Sequence, residues 1–376
     1  MPTVLAHARW LGVITALLVS GFPVGYSDDA APTPIVAVAP MYADSYGAEL
    51  ALDGRNHHAF VASNTTLRMF DSRTGALLHT QRVASGDGSA DPPTIALDAR
   101  DARVFVGSDN EYMLDANTGR LLRRVDTGHS YQIAVDETAG RAYISYYNGG
   151  GIIVEARTGR IVGALHIQGG DLGQGMAIDA RTGRGFAAES LGAVDVFDTR
   201  TGALVRTVVA GNVGAVDERD GRVFLVGGPD PKDELSVLDA RSGRVVQGIR
   251  TGHGALGTVA VDEATGRVFT ANGDGTTTML DARDGRVLCA VALETSAEAT
   301  VDDPRLAVDA RSGRIIVADQ GGVSVLDART GALVHHNTLR LPGQWSPASA
   351  LTVDEQSGRI LALTSKGLLV LDEARL

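Results

Sequence analysis

Residues 261–291 read VDEATGRVFTANGDGTTTMLDARDGRVLCAV, and the same two-part pattern recurs along the chain. The first part is an apolar run, an Asp, a short turn with Gly and a second apolar run, as in VAVDEATGRVFTAN (259–272). The second part, MLDARDGRVL (279–288), repeats this order of residue types. Apolar, β-branched runs on both sides of a short Gly-containing turn predict a β-hairpin, and the Asp can accept backbone N–H bonds within the turn.

The two hairpins alternate strictly, and they give eight copies of one unit. The first-hairpin aspartates are Asp53, Asp98, Asp136, Asp179, Asp217, Asp262, Asp309 and Asp354. The second-hairpin acids are Asp71, Asp115, Glu155, Asp198, Asp239, Asp281, Asp327 and Asp372. A period of this size indicates a repeat architecture. Each unit therefore has four antiparallel strands, named a to d.

The residues beside the first aspartates predict how the sheets pack. Ala or Thr stands two residues before each of them, and Leu, Ile or Val stands one residue before it. Because neighbouring strand residues face opposite sides, strand a has a small face and a bulky face. The bulky face of one sheet fits the small face of the next, so the sheets converge on an axis. We predict an all-β fold, a single β-propeller of eight four-stranded antiparallel blades, with seven blades as the alternative.

The two ends of the repeat array predict how the ring closes. The last unit ends at VLDEARL (370–376) and has no strand d. The apolar run PIVAVAP (34–40) precedes the first unit and has no partner there. We predict that this N-terminal strand pairs with strand c of the last blade, which removes an exposed edge. The propeller domain then spans residues 34–376.

Residues 1–27 are predicted to be a signal peptide. The apolar run LGVITALLV (11–19) follows Arg9 and is too short for a membrane helix, which needs about 20 apolar residues. Cleavage is predicted after Ser27, and an uncleaved anchor is the alternative. No later segment is long and apolar enough to span a bilayer, so we expect an exported protein, periplasmic or extracellular. The one cysteine, Cys289, is interpreted as a small buried residue on a strand.

The alternating hairpins resemble the YVTN-repeat propellers, which belong to a wider quinoprotein-like group with the amine dehydrogenase heavy chain. The resemblance covers residues 34–376 and implies the fold rather than an activity. YVTN propellers usually have seven blades. The second hairpin also resembles the LDaxTGxxxW repeat of eight-bladed pyrroloquinoline-quinone enzymes, but residues such as Arg123 and Gln247 replace its Trp in every copy, and an adjacent cysteine pair is missing. Quinone binding is not expected. The Gly-His pairs of TGHSYQ (127–132) and TGHGAL (251–256) are similar to those of WD repeats.

In a propeller, the a–b and c–d hairpins lie on one face, here named the turn face. The b–c and d–a connections lie on the other, the loop face, and in this sequence they carry all the variation. Because functional residues concentrate on variable loops of a rigid scaffold, ligand-binding residues are predicted at the channel mouth of the loop face. They are Glu189, Asn272 and Asp319 at the ends of strands b, His129 and His253 in d–a loops, and Trp345 in a long loop. Ordinary structural roles, such as solvated strand ends, are the alternative for each.

These observations favour an exported, non-catalytic propeller that binds a protein, peptide or glycan through its loop face. The net charge of −11 argues against nucleic acid, which attracts basic proteins. No catalytic residue, metal ligand or cofactor is predicted. The alternative is a metal-dependent lactonase-like or lyase-like enzyme with a divalent ion at the channel mouth, which requires acidic and His side chains from several blades to converge.

Overall fold

The structure, a computed structural model, describes residues 33–40, 48–63, 65–83, 93–125, 129–146, 148–168, 175–189, 192–209, 211–230, 232–254, 256–293, 304–319, 322–339, 350–364 and 366–376. Pro34–Leu376 form one compact unit. The predicted signal peptide, residues 1–27, lies outside the described residues. The described part of the chain contains no helix with the length and hydropathy required to span a lipid bilayer.

The described strands form eight four-stranded antiparallel sheets, blades 1 to 8. Blade 1 contains β2 (Glu49–Asp53), β3 (His58–Ser63), β4 (Thr66–Asp71) and β5 (Leu77–Arg82). Blade 2 contains β6 (Thr94–Asp98), β7 (Arg103–Gly107), β8 (Glu111–Asp115) and β9 (Leu121–Val125). Blade 3 contains β10 (Ser130–Asp136), β11 (Arg141–Tyr146), β12 (Gly151–Glu155) and β13 (Arg160–Leu165). Blade 4 contains β14 (Met176–Asp179), β15 (Arg184–Ala188), β16 (Ala193–Asp198) and β17 (Leu204–Val209).

Blade 5 contains β18 (Asn212–Asp217), β19 (Arg222–Val226), β20 (Leu235–Asp239) and β21 (Arg244–Ile249). Blade 6 contains β22 (Leu256–Asp262), β23 (Arg267–Asn272), β24 (Thr276–Asp281) and β25 (Val287–Ala292). Blade 7 contains β26 (Arg305–Asp309), β27 (Arg314–Asp319), β28 (Gly322–Asp327) and β29 (Leu333–Asn337). Blade 8 contains β30 (Ala350–Asp354), β31 (Arg359–Thr364), β32 (Gly367–Asp372) and β1 (Ile35–Pro40), and a 3-10 helix, Glu373–Arg375, follows β32.

The sheets form a closed ring. Each strand a contacts the strands a of both neighbouring blades, all the way round from β2 to β30 and back to β2, so these strands line the central channel. Strand β1 pairs antiparallel with β32, from Ile35 opposite Leu371 to Pro40 opposite Gly367. The backbone N–H of Asp372 also donates to the Pro34 carbonyl oxygen at 2.8 Å. The predicted eight-bladed propeller and its closure by the N-terminal strand are therefore confirmed.

The core of the described residues is divided among the blade interfaces. Eight hydrophobic clusters are present, and each one joins two consecutive blades. The cluster between blades 7 and 8 shows the predicted fit, since Ala307 from the small face of β26 packs with Val353 from the bulky face of β30. The main hydrophobic stabilisation therefore comes from side chains buried between neighbouring blades, and not from one core shared by all blades.

The aspartate turns have the predicted structural role. Asp71 Oδ1 accepts hydrogen bonds from the backbone N–H groups of Arg73 and Thr74, each at 3.0 Å, and from the Thr74 hydroxyl at 3.1 Å. Gly75 follows with a φ of 70°, which favours glycine. The same three bonds are made by Asp115, Asp198 and Asp327. These acids recur because each one holds a hairpin turn in place.

On the turn face, a further set of hydrogen bonds joins the a–b turns of neighbouring blades. The Ala99 N–H donates to Glu137 Oε1 of the next blade at 2.8 Å, and Arg100 Nη1 donates to the Glu137 carbonyl oxygen at 2.8 Å. Equivalent carboxylate contacts join Ala180 to Glu218, Glu218 to Glu263, and Ala310 to Glu355. A Glu follows the first Asp in blades 3, 5, 6 and 8, and each of these Glu residues receives such a bond.

In blade 4, a residue without a side chain lies opposite an unusually large one. Gly185 of β15 lies opposite Phe197 of β16, and a Cβ atom on Gly185 would lie 2.0 Å from Phe197 Cζ. The corresponding pair in blade 5 is Val223 and Leu238. The large aromatic ring of blade 4 is therefore accommodated by the missing side chain opposite it.

Gly185→Val is expected to lower the free energy of unfolding by about 3 kcal/mol, because the added atoms overlap a fully buried ring. Phe197→Leu in the same chain is expected to restore most of this loss, since it reproduces the Val–Leu pair of blade 5. Chemical denaturation of the wild type, both single variants and the double variant measures the coupling. Equal costs of Gly185→Val in the Phe197 and Leu backgrounds would contradict this explanation.

Candidate interaction surface

The predicted ligand-binding residues are distributed around the loop face. Glu189, Asn272 and Asp319 stand at the ends of strands b in blades 4, 6 and 7, while His129 and His253 stand before blades 3 and 6. Trp345 lies outside the described residues. Within the described ranges, no three His, Cys, Asp or Glu side chains come together in a group that could hold a metal ion. The metal-dependent alternative therefore finds no ligand set in the described part of the chain.

The three strand-end residues are buried, and Asn272 and Asp319 form hydrogen bonds within their own hairpins. Asn272 Nδ2 donates to the hydroxyls of Thr276 at 2.8 Å and Thr278 at 2.9 Å, and its Oδ1 accepts from Thr270 at 2.9 Å. Both amide N–H groups of Asn272 are thus used inside blade 6. Asp319 Oδ1 accepts the Gly322 N–H at 3.0 Å and closes the b–c turn of blade 7.

His253 belongs to an organised group of charged side chains, here named the blade 5–6 patch: Asp230, Asp233, Glu234, Arg250, His253 and Asp274. Arg250 bridges two acids of the preceding b–c loop, with Nη2 2.7 Å from Asp230 Oδ2 and Nε 3.2 Å from Asp233 Oδ1. His253 Nδ1 lies 2.8 Å from Asp274 Oδ2 in the b–c turn of blade 6. Three separate connections are therefore tied to one another.

Glu234 holds the turn that carries His253. Its carboxylate accepts the backbone N–H groups of Thr251 at 2.7 Å, Gly252 at 3.1 Å and Gly254 at 3.2 Å, and also the Thr251 hydroxyl. Burial acts to raise the pKa of Glu234, but these hydrogen bonds outweigh it and lower the pKa. Glu234 therefore stays ionised at neutral pH and keeps the turn in one conformation.

Asp274 is held in a similar way on the neighbouring blade. Its Oδ1 accepts the Thr276 N–H at 3.0 Å and the Thr276 hydroxyl at 2.6 Å. Burial opposes the ionised form, yet the bonds from Thr276 and His253 lower the pKa of Asp274. The side chains of Arg250, Asp230 and Asp274 are 54%, 47% and 43% exposed. The patch thus presents charged groups to solvent on loops that are already ordered, which reduces the entropy lost on binding.

A separate cavity of 550 Å³ lies at the turn-face end of the channel. Inner-strand residues of several blades line it, among them Leu52, Leu306 and Leu351, with Arg55 and Glu355 at its polar side. Its volume falls in the range of small-molecule sites, but polar and apolar groups line it about equally. The sequence interpretation placed functional residues on the opposite face and did not single out this cavity.

Two further carboxyl groups with raised pKa values lie near the loop face. Glu111 of β8 is fully buried, and desolvation raises its pKa well above 4.5 although the side chain of Ser130 in blade 3 lowers it. Glu49 of β2 accepts the Ile95 N–H of blade 2 at 2.9 Å. Solvent reaches Glu49, but the protein atoms around it desolvate its carboxyl and raise its pKa to about 7.

The sequence profile of the family described as outer membrane protein assembly factor BamB matches residues 176–375. This match covers more than half of the chain. The chain belongs to this family. The BamB-family match begins at the first residue of blade 4 and includes the whole blade 5–6 patch. The resemblance to quinoprotein-like propellers is thereby confirmed.

Solved structures share the propeller architecture with this BamB-family chain. The C-terminal WD40 domain of Sif2 is 11% identical, with a TM-score of 0.69 over 90% of this chain and 98% of that domain. BamB from Moraxella catarrhalis is 16% identical, with a TM-score of 0.58 over 90% of this chain and 99% of that protein. At these identities the likeness shows the fold alone. A search of curated proteins found no match.

Proposed function

We propose that this chain is an exported, non-catalytic scaffold that binds another protein through its loop face, with the blade 5–6 patch as the contact site. The observation that carries the proposal is the arrangement of this patch. Hydrogen bonds to the carboxylates of Glu234 and Asp274 fix the conformation of the turn that carries His253 and of the b–c turn of blade 6, while charged side chains of the patch remain exposed. The name of the matched family, an outer membrane protein assembly factor, supports a partner among proteins of that assembly. Export agrees with the signal peptide predicted at residues 1–27.

The chemistry of the patch indicates the kind of contact. Arg250, Asp230, Asp274 and His253 are partly exposed and already oriented by one another. Oriented charges of both signs fix the register of a partner more than they increase affinity. A protein surface with complementary charges therefore fits this patch better than an apolar ligand does.

The test places a photo-cross-linking amino acid at exposed Lys232, next to the patch, and at exposed Arg329 on the turn face, in cells that produce the chain naturally. We expect one dominant cross-linked protein from position 232 and none from position 329. The cross-linked chain is expected to begin at Asp28, because export removes residues 1–27. Equal products from both positions would contradict the assignment of the loop face.

The cross-linked partner is then purified, and its Kd is measured with variants. Asp274→Ala and Arg250→Ala are each expected to weaken binding at least about tenfold, which corresponds to roughly 1.4 kcal/mol. Arg329→Ala on the turn face is the matched control and is expected to bind as the wild type does. Unchanged affinity of both patch variants would show that the partner uses another part of the loop face.

A further inference from the structure

Glu373 stands at a position where the other blades have small residues. This position directly follows the last residue of strand c. The other seven residues are Ser72, Ala116, Ala156, Thr199, Ala240, Ala282 and Ala328. All eight are buried. Blade 8, which contains the closing strand, is therefore the one that carries a carboxyl group at this position.

The position faces the first Asp of the preceding blade. The blade 8–blade 1 interface shows this directly, since the Ser72 hydroxyl donates to Asp354 Oδ2 at 2.6 Å. At the blade 7–blade 8 interface, the carboxyl group of Glu373 lies next to that of Asp309 in blade 7, which raises the pKa of Glu373. Asp309 is 2% exposed and Glu373 is 7% exposed. The closing blade thus meets its neighbour through two buried carboxyl groups.

A hydrogen bond between two carboxyl groups requires one proton, because two carboxylates have only acceptors. Burial and, next, the neighbouring carboxyl of Asp309 raise the pKa of Glu373, Ser312 and Arg314 lower it, and the net result is a pKa of about 7. Ser312 Oγ donates to Glu373 Oε1 at 3.0 Å, and Arg314 Nη1 lies 3.5 Å from the same oxygen. Glu373 therefore loses its proton near neutral pH.

Other charged groups around the pair are already engaged. On blade 8, Asp372 is paired with Arg359 at 3.0 Å and with Arg375 at 3.3 Å. Beside Asp309, the Ala310 N–H donates to Glu355 at 3.1 Å. Among the described residues, Arg314 is the cation that pairs with Glu373, at 3.5 Å, so a second negative charge there is only partly compensated.

We propose that Asp309 and Glu373 form a proton-dependent latch on the closing blade. With one shared proton, the pair holds the C-terminal end of β32 against blade 7. With both groups ionised, the two carboxylates repel each other and the end of β32 loosens. The backbone N–H of Asp372, the neighbour of Glu373, donates to the carbonyl oxygen of Pro34, just before β1. The loosening therefore extends to the closing strand itself.

The direction of the pH effect follows from the proton balance. Below pH 4.5 Glu373 is protonated in the folded and the unfolded chain. Between 4.5 and about 7 the folded protein retains a proton that the unfolded chain has lost, so stability falls as pH rises through this window. The latch is therefore closed in mildly acidic solution and open above neutral pH.

The test is hydrogen–deuterium exchange of the full chain at pH 6 and pH 8.5, expressed as protection factors so that the intrinsic pH dependence of exchange is removed. In the wild type, the amides of β1 and β32 are expected to lose at least about tenfold in protection between the two pH values, since each unit of pKa difference corresponds to a factor of ten. In Glu373→Gln the loss is expected to be less than threefold. Glu49 and Glu111, the other carboxyl groups with strongly raised pKa values, are unchanged in this variant. Their contributions to the pH dependence of protection therefore cancel when the variant is compared with the wild type.

Glu373→Ala provides a second comparison, because five other blades fold with Ala at the same position. It is expected to give equal protection of β1 and β32 at both pH values. A tenfold loss that persists in either variant would overturn the proposal. So would a wild-type loss that is equally large in the strands of blades 4 and 5. Partner binding plays no part in this measurement, so its outcome is independent of the proposed function.

Discussion

A chain that begins at residue 41 is expected to lose the cooperative unfolding transition, whereas a chain that begins at residue 34 is expected to fold. The seven deleted residues include all of β1, which supplies the fourth strand of blade 8. Ile35 packs in the cluster between blades 7 and 8, and Ala39 packs in the cluster between blades 8 and 1. The deletion therefore damages both interfaces of one blade and exposes the edge of β32.

The expected loss is at least about 5 kcal/mol, which is comparable to the whole net stability of an ordinary domain. Thermal unfolding followed by circular dichroism compares the two truncated chains, and a synthetic peptide of residues 33–40 is added to the shorter one. The peptide is expected to restore part of the transition because it supplies the missing strand. If the chain from residue 41 unfolded at the same temperature as the chain from residue 34, the closing role of β1 would be wrong.

The ring could be predicted from the sequence because its determinants are local and occur eight times. The residues at one position of strand b show this most clearly: they are Phe60, Phe105, Tyr143, Phe186, Phe224, Phe269, Ile316 and Leu361. In the structure each of them lies in a different interface cluster. An alternation of period two therefore encodes both the strand and the face that meets the next blade.

The contacts of the loop face could not be predicted in the same way. The repeat places His253 and Asn272 on the loop face, but nothing in the sequence singles out Glu234, which lies in the b–c connection of blade 5. Its partners Thr251 and Gly254 are 17 and 20 residues further along the chain. Which connections meet depends on the geometry of the folded blades, and a single sequence does not record it.

The hydrogen bonds between neighbouring turns on the turn face could not be predicted for a similar reason. The turns look uniform along the chain, and the Glu that follows an Asp has no partner within its own repeat. Ala99 and Glu137 are 38 residues apart, and Ala310 and Glu355 are 45 residues apart. The separation is one full repeat. Once the ring is known, a Glu directly after the first Asp indicates a contact with the turn of the preceding blade.

Asp354→Asn is expected to lower the free energy of unfolding by about 3 kcal/mol at neutral pH. Asp354 is fully buried between blade 8 and blade 1, where its Oδ2 accepts the Ser72 hydroxyl at 2.6 Å and lies 2.8 Å from His57 Nδ1. An amide side chain loses the charge that strengthens these bonds and places N–H groups where acceptors are needed. Burial opposes the ionised form, but the bonds from Ser72, His57 and Ser357 outweigh it and lower the pKa of Asp354.

The backbone of His57 increases the importance of this contact. His57 has a φ of 57°, a left-handed conformation that costs a residue with a side chain about 1–2 kcal/mol. Six other blades place glycine at this turn position: Gly140, Gly183, Gly221, Gly266, Gly313 and Gly358. The hydrogen bond to Asp354 helps hold His57 in this conformation, so its loss leaves the strained turn without support at the seam that closes the ring.

Asp98→Asn is the matched control, because Asp98 is the equivalent buried residue of blade 2. Its Oδ1 accepts the Asp101 N–H at 2.9 Å, whereas its Oδ2 has no hydrogen-bond partner among the described residues. Desolvation raises the pKa of Asp98, and the nearby carboxylates of Asp101 and Glu137 add to this effect. Removing this charge is therefore expected to leave stability within about 0.5 kcal/mol of the wild type or to increase it.

The pH dependence separates the two positions. Because the pKa of Asp354 is lowered on folding, its stabilisation is present above its usual pKa of 3.8 and is lost as pH falls through the lower value of the folded state. Urea denaturation at pH 7 and pH 3 is thus expected to show a smaller deficit of Asp354→Asn at pH 3. Any advantage of Asp98→Asn is also expected to vanish at pH 3, where the wild-type carboxyl is protonated in both states. Equal deficits for the two variants at pH 7 would mean that the contacts with Ser72 and His57 contribute nothing to the closure of the ring.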